Sequence, residues 1–73
     1  MGTKKDPGVY DCYAKAEPDE PMFVLLARDP IAPALVDRWA NRAEAAGKDV
    51  GKVAEARKLA EEMRAWAKSR AKP

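Results

Sequence analysis

The spacing of apolar residues divides the chain into an irregular N-terminal part and two long helical segments. From residue 30 onwards, apolar positions recur every three or four residues, the spacing of one face of an α-helix. This spacing predicts helices over 30–46 and 50–71. The predicted apolar stripes are Ala32, Leu35, Val36, Trp39, Ala43 and Ala46 in the first helix, and Val53, Ala56, Leu59, Ala60, Met63, Trp66 and Ala67 in the second. The connection is short, so the helices are expected to form an antiparallel αα-hairpin, with alanines along a close seam.

The boundaries of these helices carry recognisable signals. Asp29 is a favourable N-cap, and Pro30 suits the first helical position, where the missing N–H costs nothing. Gly47 is a natural C-terminal stop, and Asp49 can cap the second helix.

The N-terminal part has shorter and less regular elements. Residues 1–8 are predicted to be a flexible arm, followed by a single small domain over 9–73. Val9, Cys12, Tyr13 and Ala16 share one side of a predicted short helix over 9–16. Residues 17–21, "EPDEP", form a stiff acidic connector, because each proline favours extended geometry in the residue before it.

Residues 22–28, "MFVLLAR", form a continuous apolar run. Its length and its flanking prolines favour an extended segment buried on both sides. No second strand candidate exists, so this segment either pairs with a symmetry mate or lies irregularly across the helices. The expected fold is therefore mainly α: a short helix, one extended or β segment and an αα-hairpin, completed by homo-oligomerisation.

Length and composition also favour self-association. A chain of 73 residues buries a marginal core, and such small scaffolds usually need a disulfide, a metal or a partner copy. Cys12 is the only cysteine and histidine is absent, which argues against an intrachain disulfide and a zinc site. The lone cysteine and the absence of a signal peptide or a membrane-length apolar run lead us to expect a cytoplasmic protein.

The inventory of side chains argues against catalysis. There is no histidine to act as a general base, and the only two serine or threonine hydroxyls, Thr3 and Ser69, lie near the ends of the chain. Cys12 lacks an imidazole to activate it and is expected to be a small buried apolar residue. We therefore predict a non-enzyme without a cofactor or a metal.

Candidate binding residues cluster around the start of the first long helix. Arg28 precedes the helix N-terminus, where a guanidinium and free N–H groups could hold an anion. Asp29 competes for the same donors, so the alternative is a simple Arg28–Asp29 surface pair. Arg38 and Arg42, one turn apart, could present a paired cationic surface or a solvated face.

Aromatic residues offer further contacts. Trp39 falls on the predicted core stripe, but one edge of so large a side chain could line an interface. Tyr13 suits an interface edge or serves to hold the short helix against the hairpin.

Three stretches carry a resemblance: "PDEPMFVLL", "ARDPIAPALVDRWA" and "KVAEARKLAEEMRAW". Their arrangement over residues 10–67 resembles a family of small proteins from phage and prophage genomes. The resemblance implies a viral accessory protein in the host cytoplasm, either phage-encoded or a bacterial copy. Small phage proteins of this kind commonly act by binding, for example against a host defence system.

Three functions follow as hypotheses. The leading one is a self-associating anti-defence protein that sequesters a nucleotide-type ligand at a subunit interface, through Tyr13, Arg28, Asp29, Arg38, Trp39 and Arg42. The second is an inhibitor that occupies the surface of a host defence protein. The third is a weak nucleic-acid-binding regulator using Arg57, Arg64, Lys68, Arg70 and Lys72. The mild charge asymmetry, −2 over residues 1–29 and +4 over 30–73, disfavours the third.

Overall fold

The computed structural model describes residues 1–70, which are mainly helical and contain no β-strand. The three helices are α1 (Cys12–Lys15), α2 (Ala32–Ala45) and α3 (Val50–Arg70). Only α2 and α3 pack extensively against each other. Ion pairs between them join Glu44 to Arg57 and Asp37 to Arg64. Positions earlier in α2 therefore face positions later in α3, as an antiparallel hairpin requires.

The contact between α2 and α3 is built mainly from alanine. Ala32, Ala40, Ala56 and Ala60 are completely buried, and Ala43, Val53 and Met63 are nearly so. Among residues 1–70, no large side chain is fully buried. Small side chains at the seam allow the two helix axes to approach closely, which leaves little room for larger groups between them.

The large apolar side chains lie beside this seam. The placement of Leu35 and Trp39 in the core was wrong, because Leu35 is 43% and Trp39 41% exposed. Trp66 is also exposed, whereas Leu59 and Val36 are half-buried. The predicted inner positions of α3, namely Val53, Ala56, Ala60 and Met63, are confirmed.

Helix α2 begins two residues later than predicted. Its N-cap position is Ile31 rather than Asp29, and Pro33 occupies its second position. A helix starting at Pro30 would require the residue at 33 to donate the first intrahelical hydrogen bond, and a proline cannot donate one. Asp29 instead closes a turn, in which its Oδ1 accepts from the Ile31 N–H at 3.0 Å.

The connection between α2 and α3 follows the prediction. Gly47 adopts a φ of +75°, the left-handed conformation that terminates many helices. Asp49 caps α3, with its Oδ1 accepting from the Gly51 N–H at 2.8 Å. Helix α3 extends to Arg70, and the predicted last residue, Ala71, lies outside the described residues.

The predicted extended segment over 22–28 is irregular. It forms neither helix nor strand, and Phe23 is 84% exposed, so its expected burial on both sides was wrong. Leu25 and Ala27 are half-buried, and the Asp29 N–H donates to the Leu26 carbonyl at 3.0 Å to form the turn into α2. Residues 1–70 contain no strand with which this segment could form a ladder, and the backbone groups of residues 22–25 make no hydrogen bond within that range.

Helix α1 is one turn long rather than the predicted 9–16. Asp11 caps it by accepting from the Ala14 N–H at 3.1 Å. The residues just before it are not helical, and the N–H groups of Val9 and Tyr10 donate to Glu55 of α3. Cys12 is exposed, so the prediction of a buried cysteine was wrong.

The alanine seam predicts a large difference between neighbouring substitutions. Ala56→Leu places extra volume at a completely buried position and should destabilise the fold by about 1–3 kcal/mol. Ala54→Leu, at an exposed position of the same helix, should change the unfolding free energy by less than about 0.5 kcal/mol. Urea unfolding of both variants measures the difference, and equal effects would contradict a close-packed seam.

Candidate functional site

Two open grooves lie where the irregular segment and residues 1–10, called the N-terminal arm from here on, meet α3. We call the larger one the aromatic groove, and its volume is about 1000 Å³. That is at the upper end of the usual range for small-molecule sites, about 300–1,000 Å³. Its walls come from residues 1–4, from the region around α1, from Glu20–Leu26, and from Lys52 and Leu59 of α3.

The aromatic groove combines aromatic and cationic side chains. Tyr10, Tyr13 and Phe23 line it together with Lys4, Lys15 and Lys52. Aromatic faces stack on nucleobases, and ammonium groups bind phosphate oxygens. The two carboxylates in its lining, Asp11 and Glu20, each accept a local backbone N–H. The groove therefore suits a ligand that carries both a flat ring and negative charge.

Glu55 of α3 holds the N-terminal arm that forms one wall of this groove. Its carboxylate accepts from the N–H groups of Val9 at 2.9 Å and Tyr10 at 3.1 Å. The α-amino group of Met1 also donates to it at 3.1 Å, and donates to the carbonyls of Pro7 and Tyr10 as well. Partial desolvation raises the pKa of Glu55, but the donations from Val9, the amino terminus and Tyr10 outweigh it, so the pKa lies below its ordinary value.

A second contact fixes the aromatic wall. The Tyr10 hydroxyl donates to Asp49 Oδ1 at 3.1 Å, which links the arm to the N-cap of α3. This hydrogen bond raises the pKa of Tyr10 and lowers the pKa of Asp49. Gly51 leaves space for the phenol, since a Cβ there would lie 2.6 Å from the Tyr10 hydroxyl oxygen.

The second groove, of about 690 Å³, contains Arg28. Lys58, Glu62 and Trp66 of α3 line it with Arg28, and it shares residues of the arm with the aromatic groove. No ion pair joins Arg28 to Asp29 in residues 1–70, so the expected surface pair is not formed. The expected anion site at the start of α2 is taken by Asp29 itself, whose carboxylate accepts the Ile31 N–H.

Arg38, Trp39 and Arg42 lie together on a different surface. Helical spacing places them with Leu35 and with Ile31, the N-cap residue, on one face of α2, with Trp39 at the edge next to the alanine seam; we call this set the outer face of α2. All five of these side chains are exposed. Neither arginine has a carboxylate within ion-pair distance among residues 1–70.

The acidic residues of α2 are instead engaged with α3. Asp37 pairs with Arg64, and Glu44 with Arg57 at 3.0 Å. The hydrogen bond from Arg64 to Asp37 raises the pKa of Arg64. Glu44 thus reaches across to α3, and among residues 1–70 no ion pair joins Lys58 to Glu62.

In a single copy of the chain, the predicted site residues thus lie on three separate surfaces. Tyr13 lines the aromatic groove, Arg28 the smaller groove, and Arg38, Trp39 and Arg42 the outer face of α2. Lys52 connects two of these places, since it lines the aromatic groove and its Nζ lies 5.8 Å from the centroid of the Trp39 ring.

Sequence reasoning missed the lysines of the aromatic groove and the role of Glu55. Lys4, Lys15 and Lys52 come from three separate parts of the chain, so no local pattern joins them. By spacing, Glu55 is an ordinary polar position of α3. Its role becomes visible only when the arm is placed against it.

The cations predicted to bind nucleic acid are partly engaged, with Arg57 and Arg64 in ion pairs and the Arg70 guanidinium 4.8 Å from the centroid of the Trp66 ring. Lys72 of this set lies outside the described residues. Across residues 1–70, no three His, Cys, Asp or Glu side chains are grouped to hold a metal ion.

Comparisons with known proteins identify no protein similar to this chain. No protein-family model, no curated protein and no solved structure matches this chain. None of the described helices is both long enough and apolar enough to cross a membrane.

The Glu55 contacts predict a pH-dependent attachment of the arm. Because the folded-state pKa of Glu55 lies below its ordinary value of 4.5, the stabilisation it provides is present above that pH and is lost as the pH falls through the folded-state pKa. Amide hydrogen exchange at Val9 and Tyr10 should therefore lose protection in acid.

The variant Glu55→Gln should show weak protection of Val9 and Tyr10 already at neutral pH. Glu62→Gln is the matched control, since Glu62 is an exposed position of the same helix, and it should leave both amides protected. Wild-type protection at these amides in the Glu55→Gln variant would contradict the role of the carboxylate.

Proposed function

We propose that this protein is a non-catalytic, self-associating binding protein that holds a small anionic nucleotide-type ligand in the aromatic groove. The observation that carries the proposal is the lining of that groove: Tyr10, Tyr13 and Phe23 beside Lys4, Lys15 and Lys52. The rings of Tyr10 and Tyr13 stack on a base, and the ammonium groups bind the phosphates.

Self-association explains how such an open groove retains a ligand. Small-molecule sites usually bury most of their ligand, whereas this groove is open to solvent in a single copy. Met22, Phe23 and Val24 stand exposed at its rim. A second copy placed against these side chains covers apolar surface and closes the groove over its ligand.

The biological role we propose follows from the resemblance to small phage proteins. A viral protein that takes up a nucleotide signal, without consuming it, lowers the free concentration that a host defence system detects. A chain of 73 residues with neither histidine nor an activated cysteine is suited to sequestration rather than to turnover.

A second candidate function is the inhibition of a host protein by surface contact. The exposed acidic residues Glu17, Asp19 and Glu20 favour it, because they could cover a basic surface on such a protein. This candidate requires no small ligand, so a ligand titration separates the two.

Calorimetric titration with cyclic dinucleotides and with ADP-ribose tests the leading proposal. We expect saturable binding of at least one of these nucleotides by the wild-type chain. The double variant Lys15→Ala/Lys52→Ala should weaken that binding about tenfold or more, because two charge-assisted phosphate contacts are removed.

The double variant Lys48→Ala/Lys68→Ala is the matched control. It removes the same charge from exposed positions outside both grooves and should bind like the wild type. The absence of binding with every nucleotide, or equal weakening in the two double variants, would overturn the proposed ligand site.

A further inference from the structure

We propose that two copies associate by placing the acidic–apolar segment of one copy, residues 17–24, on the outer face of α2 of the other. The inference deepens the proposed function and rests on its self-association.

Every residue of the acidic–apolar segment is exposed. Glu17, Asp19 and Glu20 are exposed, as are Met22, Phe23 and Val24. Across residues 1–70, the three carboxylates make no ion pair, and no backbone N–H or C=O group of residues 22–25 takes part in a hydrogen bond. The segment therefore offers negative charge, apolar surface and a free backbone to a partner.

The outer face of α2 has the complementary character. Arg38 and Arg42 are cations without an acidic partner in the described part of the chain, and Ile31, Leu35 and Trp39 expose apolar surface beside them. Asp37 and Glu44, the carboxylates on the same helix, form ion pairs with arginines of α3. An acidic partner therefore meets no competing charge from Asp37 or Glu44.

The spacing of charge and apolar groups also matches. Glu20 and Phe23 are three residues apart, which spans up to about 10 Å in an extended chain. Arg42 and Leu35 are seven residues apart on a helix, which also spans about 10 Å. A segment that runs antiparallel to α2 can thus place its carboxylates near Arg42 and Arg38 and its apolar residues near Leu35 and Ile31.

A second copy is the occupant that these observations favour. Within its own chain, the segment from Glu20 to Val24 lines the aromatic groove, whereas neither Arg38 nor Arg42 lines that groove. Every copy carries one segment and one outer face, so two copies can exchange both contacts around a twofold axis. The two surfaces carry charges of opposite sign. Each surface therefore attracts the other surface of a second copy and repels its own equivalent.

This arrangement also brings predicted site residues that are far apart in one copy close together across the interface. Because the acidic–apolar segment forms part of the wall of the aromatic groove, a partner's α2 seated on it approaches the groove that holds Tyr13. Arg38, Trp39 and Arg42 of the partner subunit then lie at its rim. The site is incomplete in one copy and is supplemented by the second.

Sedimentation equilibrium with charge-reversed variants tests the inference. The segment variant Glu17→Lys/Asp19→Lys/Glu20→Lys and the face variant Arg38→Glu/Arg42→Glu should each raise the dissociation constant for self-association about a hundredfold or more. Mixing the two variants should restore association, because each reversed surface then meets a reversed partner. Far-UV circular dichroism and urea unfolding verify that both variants are folded.

A control variant separates this contact from a general effect of charge. Lys48→Glu/Lys68→Glu makes the same change in net charge as the face variant, at exposed positions outside both surfaces, and should associate like the wild type. A monomeric wild type, association unaffected by either reversal, equal weakening in the control, or no restoration on mixing would each overturn the inference.

The outcome is distinguishable from a failure of the ligand proposal. If the mixed variants associate but no nucleotide binds, the contact stands and the ligand assignment fails. If nucleotides bind but the charge reversals leave association unchanged, the ligand assignment stands and this contact is wrong.

Discussion

The close approach of α2 and α3 through alanine is the constraint on which the rest of the structure depends. Four completely buried alanines define the seam, and the larger apolar side chains therefore lie on its flanks. A seam this narrow buries little apolar area in a small domain, so much apolar surface stays available on the outside. The exposed side chains of Ile31, Leu35 and Trp39 in α2, and of Met22, Phe23 and Val24 in the irregular segment, are the visible result.

Hydrogen bonds to α3, rather than secondary structure of its own, hold the irregular N-terminal region in place. Glu55 accepts two backbone N–H groups of the arm and the α-amino group of Met1, and Asp49 accepts the Tyr10 hydroxyl. These contacts hold Tyr10 and α1 beside the lysines of the aromatic groove. A few polar contacts to one helix thus create a groove that neither the arm nor the hairpin possesses alone.

The hairpin could be predicted from the sequence because its signals are local. Apolar spacing identified the inner positions of α3, and Gly47 and Asp49 marked the connection correctly. The start of α2 was missed, since Pro33 prevents the hydrogen bond that a helix beginning at Pro30 would need. Spacing also placed Trp39 in the core, because a periodic pattern does not reveal how narrow an alanine seam is. The groove lysines and Glu55 come together only through tertiary contacts between distant parts of the chain.

The central claim is that side chains left exposed by a single copy are covered by a second one, and the accessibility of Trp39 tests it most directly. In a Trp66→Phe chain, Trp39 is the only tryptophan, and its fluorescence can be quenched by acrylamide over a wide range of protein concentration. We predict that Trp39 is shielded from the quencher in concentrated samples and becomes more accessible on dilution. Equal quenching at every concentration would contradict the claim.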